Sequence, residues 1–154
     1  MIARIRLARE NETALLSVVE RSAARRFQMV PGLEWVAEGG VFGEAVHLGC
    51  IRGGTCWVAV DEHGDPVGFL SAEAVGGREL HIHEMSVSEA LQGHGIGRAL
   101  LETAIEWAVT HHLAALTLTT FHDVPWNAPF YSRIGFEVLR ASDLDERLSA
   151  LLRK

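Results

Sequence analysis

Hydrophobic positions recur with two different periods along this chain, and the switch between them separates strands from helices. Ile2 to Ala8 alternates and predicts a first strand. From Glu12 to about Phe27 the spacing turns helical, with Asn11 as N-cap and Leu15, Val18, Val19 and Ser22 on one face. Pro31-Gly32 breaks the chain, and Leu33 to Glu38 reads as a short helix. The stretch between Gly39-Gly40 and Gly53-Gly54 shows no clear period.

Thr55 to Asp61, Val67 to Val75 and Glu79 to Val87 predict three strands. They are joined by His63-Gly64-Asp65-Pro66 and Gly76-Gly77, short turns that imply an antiparallel meander. A helix follows from Gly95 to about His112, with Ile96, Leu100, Ala104, Trp107 and Ala108 inside and Arg98, Glu102 and Glu106 outside. Ala115 to Phe121 predicts a fifth strand, parallel and adjacent to the fourth because a helix joins them. Asn127 to Ile134 reads as a short helix capped by Gly135, Phe136 to Arg140 as a sixth strand, and Ser142 to Arg153 as helical. No repeat or linker interrupts residues 1–154, so a single domain is expected.

Composition narrows the function classes. A formal net charge of −6 argues against nucleic acid as the main partner and is compatible with a cationic one. No apolar stretch is long enough to span a bilayer, and Met1 to Arg6 lacks a secretory pattern, so a cytoplasmic location with no membrane partner is expected. Cys50 and Cys56 read as reduced thiols without the surroundings of a nucleophile.

The most informative segment is Gln92-Gly93-His94-Gly95-Ile96-Gly97, between a strand and an amphipathic helix. Glycine lets backbone approach a ligand closely, and the first N–H groups of a helix lack partners and carry partial positive charge. Such a start suits a phosphate group, although glycines can also serve only to tighten a turn. No Gly-Lys-Ser/Thr follows, and no Gly-x-Gly-x-x-Gly with a ribose-binding carboxylate, so neither a P-loop nor a dinucleotide site is supported.

In these residues the chain resembles the GCN5-related N-acetyltransferase (GNAT) family. Gln92-x-x-Gly95-x-Gly97 is similar to its acyl-CoA motif, and Asn127 to Phe136, including Phe130-Tyr131-Ser132-Arg133-Ile134-Gly135-Phe136, to a later motif. The resemblance implies an α/β (α+β) fold: a mixed, mostly antiparallel central sheet of six or seven strands with flanking helices. It implies acetyl-CoA as acyl donor, no resident metal, and a small-molecule or protein amine as acceptor. Pantetheine would lie where strands four and five splay, with the pyrophosphate on Gln92, Gly93, His94, Gly95, Ile96, Gly97 and Arg98. The family usually has a further strand after the sixth, where this sequence reads as a helix-like tail, so that strand is either missing, supplied by another chain or outside this sequence. If it is missing, the edge near Phe136 to Arg140 would be unpaired, which motivates the hypothesis of a homodimer.

Acetyl transfer to an amine requires deprotonating an ammonium, stabilising an oxyanion and protonating a thiolate. His83 is the first candidate base, since an imidazole with a reference pKa of about 6.5 accepts a proton near neutral pH. Glu84 is the second, matching acidic residues in some family branches. Alternation puts His83 and Glu84 on opposite faces, but the family often has a bulge here that turns both toward the splay. Both residues also have structural readings, as a bonded sheet histidine and a structural carboxylate. His81 shares a face with His83; the two could ligate a metal with His122, but no further ligand completes that set. The resemblance makes Tyr131 the general acid, Asn127 a pantetheine contact, and a backbone N–H from Met85 to Val87 the oxyanion donor. Tyr131 could instead pack in the core, and Asn127 could cap its helix. Phe27, Trp35 and His81, with Phe42 and Trp126, are candidate acceptor-binding residues, though aromatics equally build cores. A CoA-binding sensor without turnover, or a transferase of another acyl group, are the rival readings.

Overall fold

The computed structural model describes residues 4–25 and 44–118. Apart from Leu118 they belong to one compact unit, Met1–Thr117. The element order is β1 (Arg4–Leu7), α1 (Thr13–Ala24), α2 (Glu44–Arg52), β2 (Cys56–Val60), β3 (Pro66–Val75), β4 (Glu79–Val87), α3 (Ile96–Thr110) and β5 (Ala115–Leu118). The strands lie in the order β1-β2-β3-β4-β5, and β1–β2, β2–β3 and β3–β4 pair antiparallel. The expected mixed, mostly antiparallel sheet with flanking helices is present. The sixth strand and the helices expected at Leu33 to Glu38, Asn127 to Ile134 and Ser142 to Arg153 lie outside the described residues.

Turn chemistry fixes the meander. The Asp61 carboxylate accepts the N–H groups of His63 and Asp65 at 2.8 and 3.0 Å. At the next turn Gly76 and Gly77 both have positive φ, 60° and 66°, as a tight hairpin needs.

Strand alternation divides the sheet into two covered faces. Cys56, Val58 and Phe69 point to one face and pack with Leu16 and Val19 of α1 and Cys50 of α2. Trp57 points to the other and meets Trp107 of α3 edge-on at 6.2 Å. Covered on both sides, β2 is buried at all five positions, and full burial of a Val- or Phe-sized side chain contributes about 1.5–3 kcal/mol. A Cβ on Gly68 would meet Ile96 Cγ2 at 3.1 Å and the Ser86 carbonyl at 3.2 Å. Glycine there lets the first turn of α3 dock on β3 and β4.

Two expectations are corrected, and one unassigned stretch is resolved. Asn11 does not cap α1; it lies in a 3₁₀ turn, Glu10–Glu12, and Glu12 precedes the helix. The cause is the Glu12 carboxylate, which accepts the Arg9 N–H at 2.8 Å and both Arg6 amino groups at 2.9 and 2.7 Å. The buried stripe of α1 is Leu16, Ser17, Val19 and Glu20, whereas Leu15 and Val18 are exposed. Glu20 has a buried histidine as partner, so a charged position belongs to the inner face. The segment without a clear period contains α2, whose inner residues, His47 and Cys50, are not the large aliphatics that mark a stripe.

Candidate active site at the β4 bulge and the α3 start

Ser71 of β3 pairs with Glu84 of β4, but the next residue, Ala72, pairs with Ile82. His83 is the extra residue of a bulge, which turns both His83 and Glu84 toward the face that Ser71 shares. The contacts agree. His83 Nε2 lies 3.0 Å from Glu73 Oε2, and the His81 and His83 rings meet edge-on at 5.2 Å. His81 is buried; its Nδ1 lies 2.8 Å from Thr117 Oγ1, whose hydroxyl donates to Glu79 Oε2 at 2.7 Å.

Glu84 is half-buried on the strand. Its Oε1 accepts the Met85 N–H at 3.0 Å and the Ser86 hydroxyl at 3.4 Å. Burial pushes its pKa up to about 8; the negative charge of Glu20 adds to the rise, and the two hydrogen bonds oppose it. The Met85 N–H, a candidate oxyanion donor, is thus taken by Glu84. Val87 pairs with Gly68, and its carbonyl accepts Gln92 Nε2 at 3.0 Å, which ties the loop to the end of β4.

Sequence reasoning did not find Glu20, His47 and Ser71. His47 is fully buried, with Nε2 3.0 Å from Glu20 Oε1 and Nδ1 3.0 Å from Ser71 Oγ. Ser71 Oγ is also 3.4 Å from Cys56 Sγ. The available signal was a polar residue, Glu20, four positions after Leu16 on a helix.

The α3 start has the backbone that its glycines suggest. Gly93 and Gly95 adopt φ of 84° and 83°, and Gly95 is the N-cap. Among the described residues, a Cβ at either would meet nothing within 4 Å, so none of them fills the space above the loop. The Ile96 side chain is buried in the core, leaving only its backbone to face a ligand. Arg98 is exposed and its Nε donates to Glu102 Oε1 at 3.0 Å; His94 is exposed. The Glu89 N–H donates to Ser22 Oγ at 2.9 Å, joining this loop to α1. A glycine-lined helix start fits the pyrophosphate of a CoA ester.

Phe27, Trp35, Phe42, His122, Trp126, Asn127 and Tyr131 lie outside the described residues. Among the described residues no group of three or more His, Cys, Asp or Glu side chains could hold a metal ion. Nor is any helix of theirs long and apolar enough to cross a membrane. Cys50 and Cys56 are free and buried, and burial pushes their thiols up to about 12 and about 11, which suits neither as a nucleophile.

The model of the acetyltransferase (GNAT) family matches residues 33–136. The chain belongs to this family. Among GNAT relatives, the peptidyl-lysine N-acetyltransferase YjaB of Escherichia coli (strain K12) is 31% identical over 90 residues, covering 58% of this chain and 54% of that protein. The human N-acetylaspartate synthetase is 35% identical over 92 residues, covering 58% of this chain and 30% of its own. The chain therefore matches about half or less of the length of these relatives. The crystal structure of PaiA N-acetyltransferase from Thermoplasma acidophilum, in complex with coenzyme A, superposes with a TM-score of 0.77 over 95% of this chain and 94% of its own. At 17% identity that likeness establishes the GNAT fold.

Proposed function

We propose that this chain is an acetyl-CoA-dependent N-acetyltransferase that acetylates a primary amine by direct attack in a ternary complex. The observation that carries this reading is a continuity of chain. The chain runs from the Glu84 carboxyl at the bulge of β4, through Gln92, into the glycine-lined start of α3. A proton acceptor and an anion cradle thereby occupy one strand-turn-helix unit.

Acetyl-CoA supplies the activated acyl carbon as a thioester. Backbone N–H groups from Gly93 to Gly97 bind its pyrophosphate with help from the dipole of α3. Glu84 takes the proton of the acceptor ammonium, directly or through water, because its raised proton affinity makes it a stronger base than an ordinary carboxylate. His83, held by Glu73, is the alternative base and otherwise orients the acceptor. From the family motif, Tyr131 protonates the departing sulfur and Asn127 contacts pantetheine; Phe27, Trp35 and His81 are taken as acceptor-binding residues from their residue types and, for His81, from its place beside His83. Once Glu84 moves off the Met85 N–H, that donor is available to the thioester carbonyl.

The acceptors in the relatives' names differ: peptidyl lysine for YjaB, and the aspartate amine implied by the synthetase's product. The test is therefore a panel of primary amines, including both, scored by release of free CoA thiol. Turnover on at least one amine is expected, with Glu84→Gln slower by about 10²-fold or more. CoA binding without turnover on any amine would favour a sensor, and turnover only with longer acyl-CoA esters would change the donor.

A further inference from the structure

We propose that Ser22 of α1 is a positioning residue for acetyl-CoA: its hydroxyl sets the loop that binds the pyrophosphate. This rests on the cradle assigned above to the backbone from Gly93 to Gly97, and the test separates the two.

The segment from Ser88 to Ile96 leaves the sheet after β4 and returns at the start of α3. Both of its ends are fixed from β3. The Ser88 N–H donates to the Val67 carbonyl at 2.8 Å, and Ile96 sits so close to Gly68 that a Cβ there would meet its Cγ2 at 3.1 Å. Between these points the segment opens with a 3₁₀ turn, Glu89–Leu91. The first N–H groups of such a turn have no partner within it, and a serine just before it ordinarily supplies one. Ser88 stands in that place but makes no capping bond. Ser22, 67 residues earlier, meets one of these groups instead: its Oγ accepts the Glu89 N–H at 2.9 Å.

The turn passes this placement on to the cradle. The Leu91 N–H donates to the Ser88 carbonyl at 2.8 Å, and Gln92 Nε2 reaches back to the Val87 carbonyl at 3.0 Å. Gly93 follows directly, with its φ of 84°. Glycine lets the loop approach a phosphate, but it also has the most conformational freedom to lose on binding. A hold from outside the loop removes part of that freedom beforehand. Apparent affinity then rises with the fraction of molecules whose loop is already placed. Ser22 supplies such a hold from a firm base, because Leu16 and Val19 fix α1 in the core. The bond joins exposed groups, so water can take over the Glu89 N–H when the hydroxyl is removed. Its loss should therefore register in ligand affinity and not in the stability of the fold.

The test titrates CoA calorimetrically into wild type, Ser22→Ala, Ser22→Thr and Gly95→Ala, and melts each protein without ligand. Ser22→Ala should bind CoA about 2- to 10-fold more weakly, the worth of one neutral hydrogen bond. Its melting temperature should stay within about 2 °C of wild type, as for a surface substitution. Ser22→Thr keeps the hydroxyl and should restore the affinity. Wild-type affinity in Ser22→Ala, with Gly95→Ala weakened, would overturn the positioning role and leave the cradle standing. Equal weakening in Ser22→Ala and Ser22→Thr, or a larger drop in the melting temperature of Ser22→Ala, would also overturn it, since the hydroxyl would not act through the loop. Wild-type affinity in Gly95→Ala would remove the cradle and the positioning role together.

Discussion

Ser71 and Glu84 face each other across β3 and β4, while the residue after Ser71 pairs with Ile82 rather than His83. One inserted residue thus sets an imidazole and a carboxyl side by side on the face covered by α1 and α2. Glu84 is then half-buried, with the charge of Glu20 adding to the effect, which turns an ordinary acid into one that keeps its proton at neutral pH.

This protonation has a stability consequence of definite sign. A carboxyl whose folded pKa is raised contributes stability that is complete below its unfolded pKa and lost as pH rises through the folded value. For Glu84 that window runs from the ordinary carboxylate value to about 8. Glu84→Gln resembles the protonated form at every pH. The melting temperature of the variant relative to wild type should therefore climb from about pH 4 to about pH 8 and then level off. A difference that stays constant across this range would mean that Glu84 titrates in the fold as it does in the unfolded chain.

The glycines of the α3 start make a ranked prediction. At Gly95 the φ of 83° penalises any L side chain, although no described residue fills the space. A left-handed residue other than glycine costs about 1–2 kcal/mol, less for asparagine and more for a β-branched side chain. Stability should therefore fall in the order Gly95, Gly95→Asn, Gly95→Ala, Gly95→Val. CoA affinity, read by calorimetry, should fall for all three folded variants because each Cβ enters the space over the loop. Unchanged affinity in folded Gly95→Ala would place the pyrophosphate elsewhere.

Strong periods made much of this fold legible. β2, β3, β4 and α3 lie within a residue or two of their expected bounds because alternation, helical spacing and glycine turns agreed. α1 was placed but its inner face was misjudged. Burial of Glu20 depends on a histidine 27 residues away, and no local pattern carries that pairing. α2 was missed because its inner side is marked by His47 and Cys50. The candidate site divides in the same way. The glycine loop is local chemistry and was readable. The bulge came only from the family resemblance, since one inserted residue leaves the composition of β4 unchanged. Ser71 is an ordinary strand serine until the fold sets it between His47 and Glu84.

Acid should loosen the junction of β1 and α1. Hydrogen bonding from Arg6 is the largest cause holding the Glu12 carboxyl below its usual pKa, with the Arg9 N–H assisting. A depressed carboxylate contributes stability above its unfolded pKa and loses it as pH falls through the folded value. Glu12→Gln should cost about 1.5–3 kcal/mol at neutral pH, the range for hydrogen bonds to a charged group. Chemical denaturation should show that cost shrinking below about pH 4, where wild-type Glu12 itself becomes protonated. An equal cost at both pH values would assign the effect to packing.

Rates against pH can separate Glu84 from His83 as base. A base must be deprotonated to act, so activity rises with pH through its midpoint. If Glu84 is the base, the limb for kcat/KM in the free enzyme should centre near its raised value of about 8. A limb near about 6.5, the imidazole reference, would point to a histidine. Glu84→Gln should abolish the upper limb and lower kcat by about 10²–10⁴-fold, the usual range for this kind of catalysis. His83→Ala removes the partner of Glu73 but leaves the Glu84 carboxyl bound to Met85 and Ser86. It should therefore raise KM for the acceptor more than it lowers kcat, with the limb preserved. Tyr131→Phe should lower kcat without moving the rising limb, because its proposed proton goes to the sulfur and not from the amine. If the limb survives in Glu84→Gln and vanishes in His83→Ala, the two strand residues exchange roles, with the bulge serving to present the imidazole.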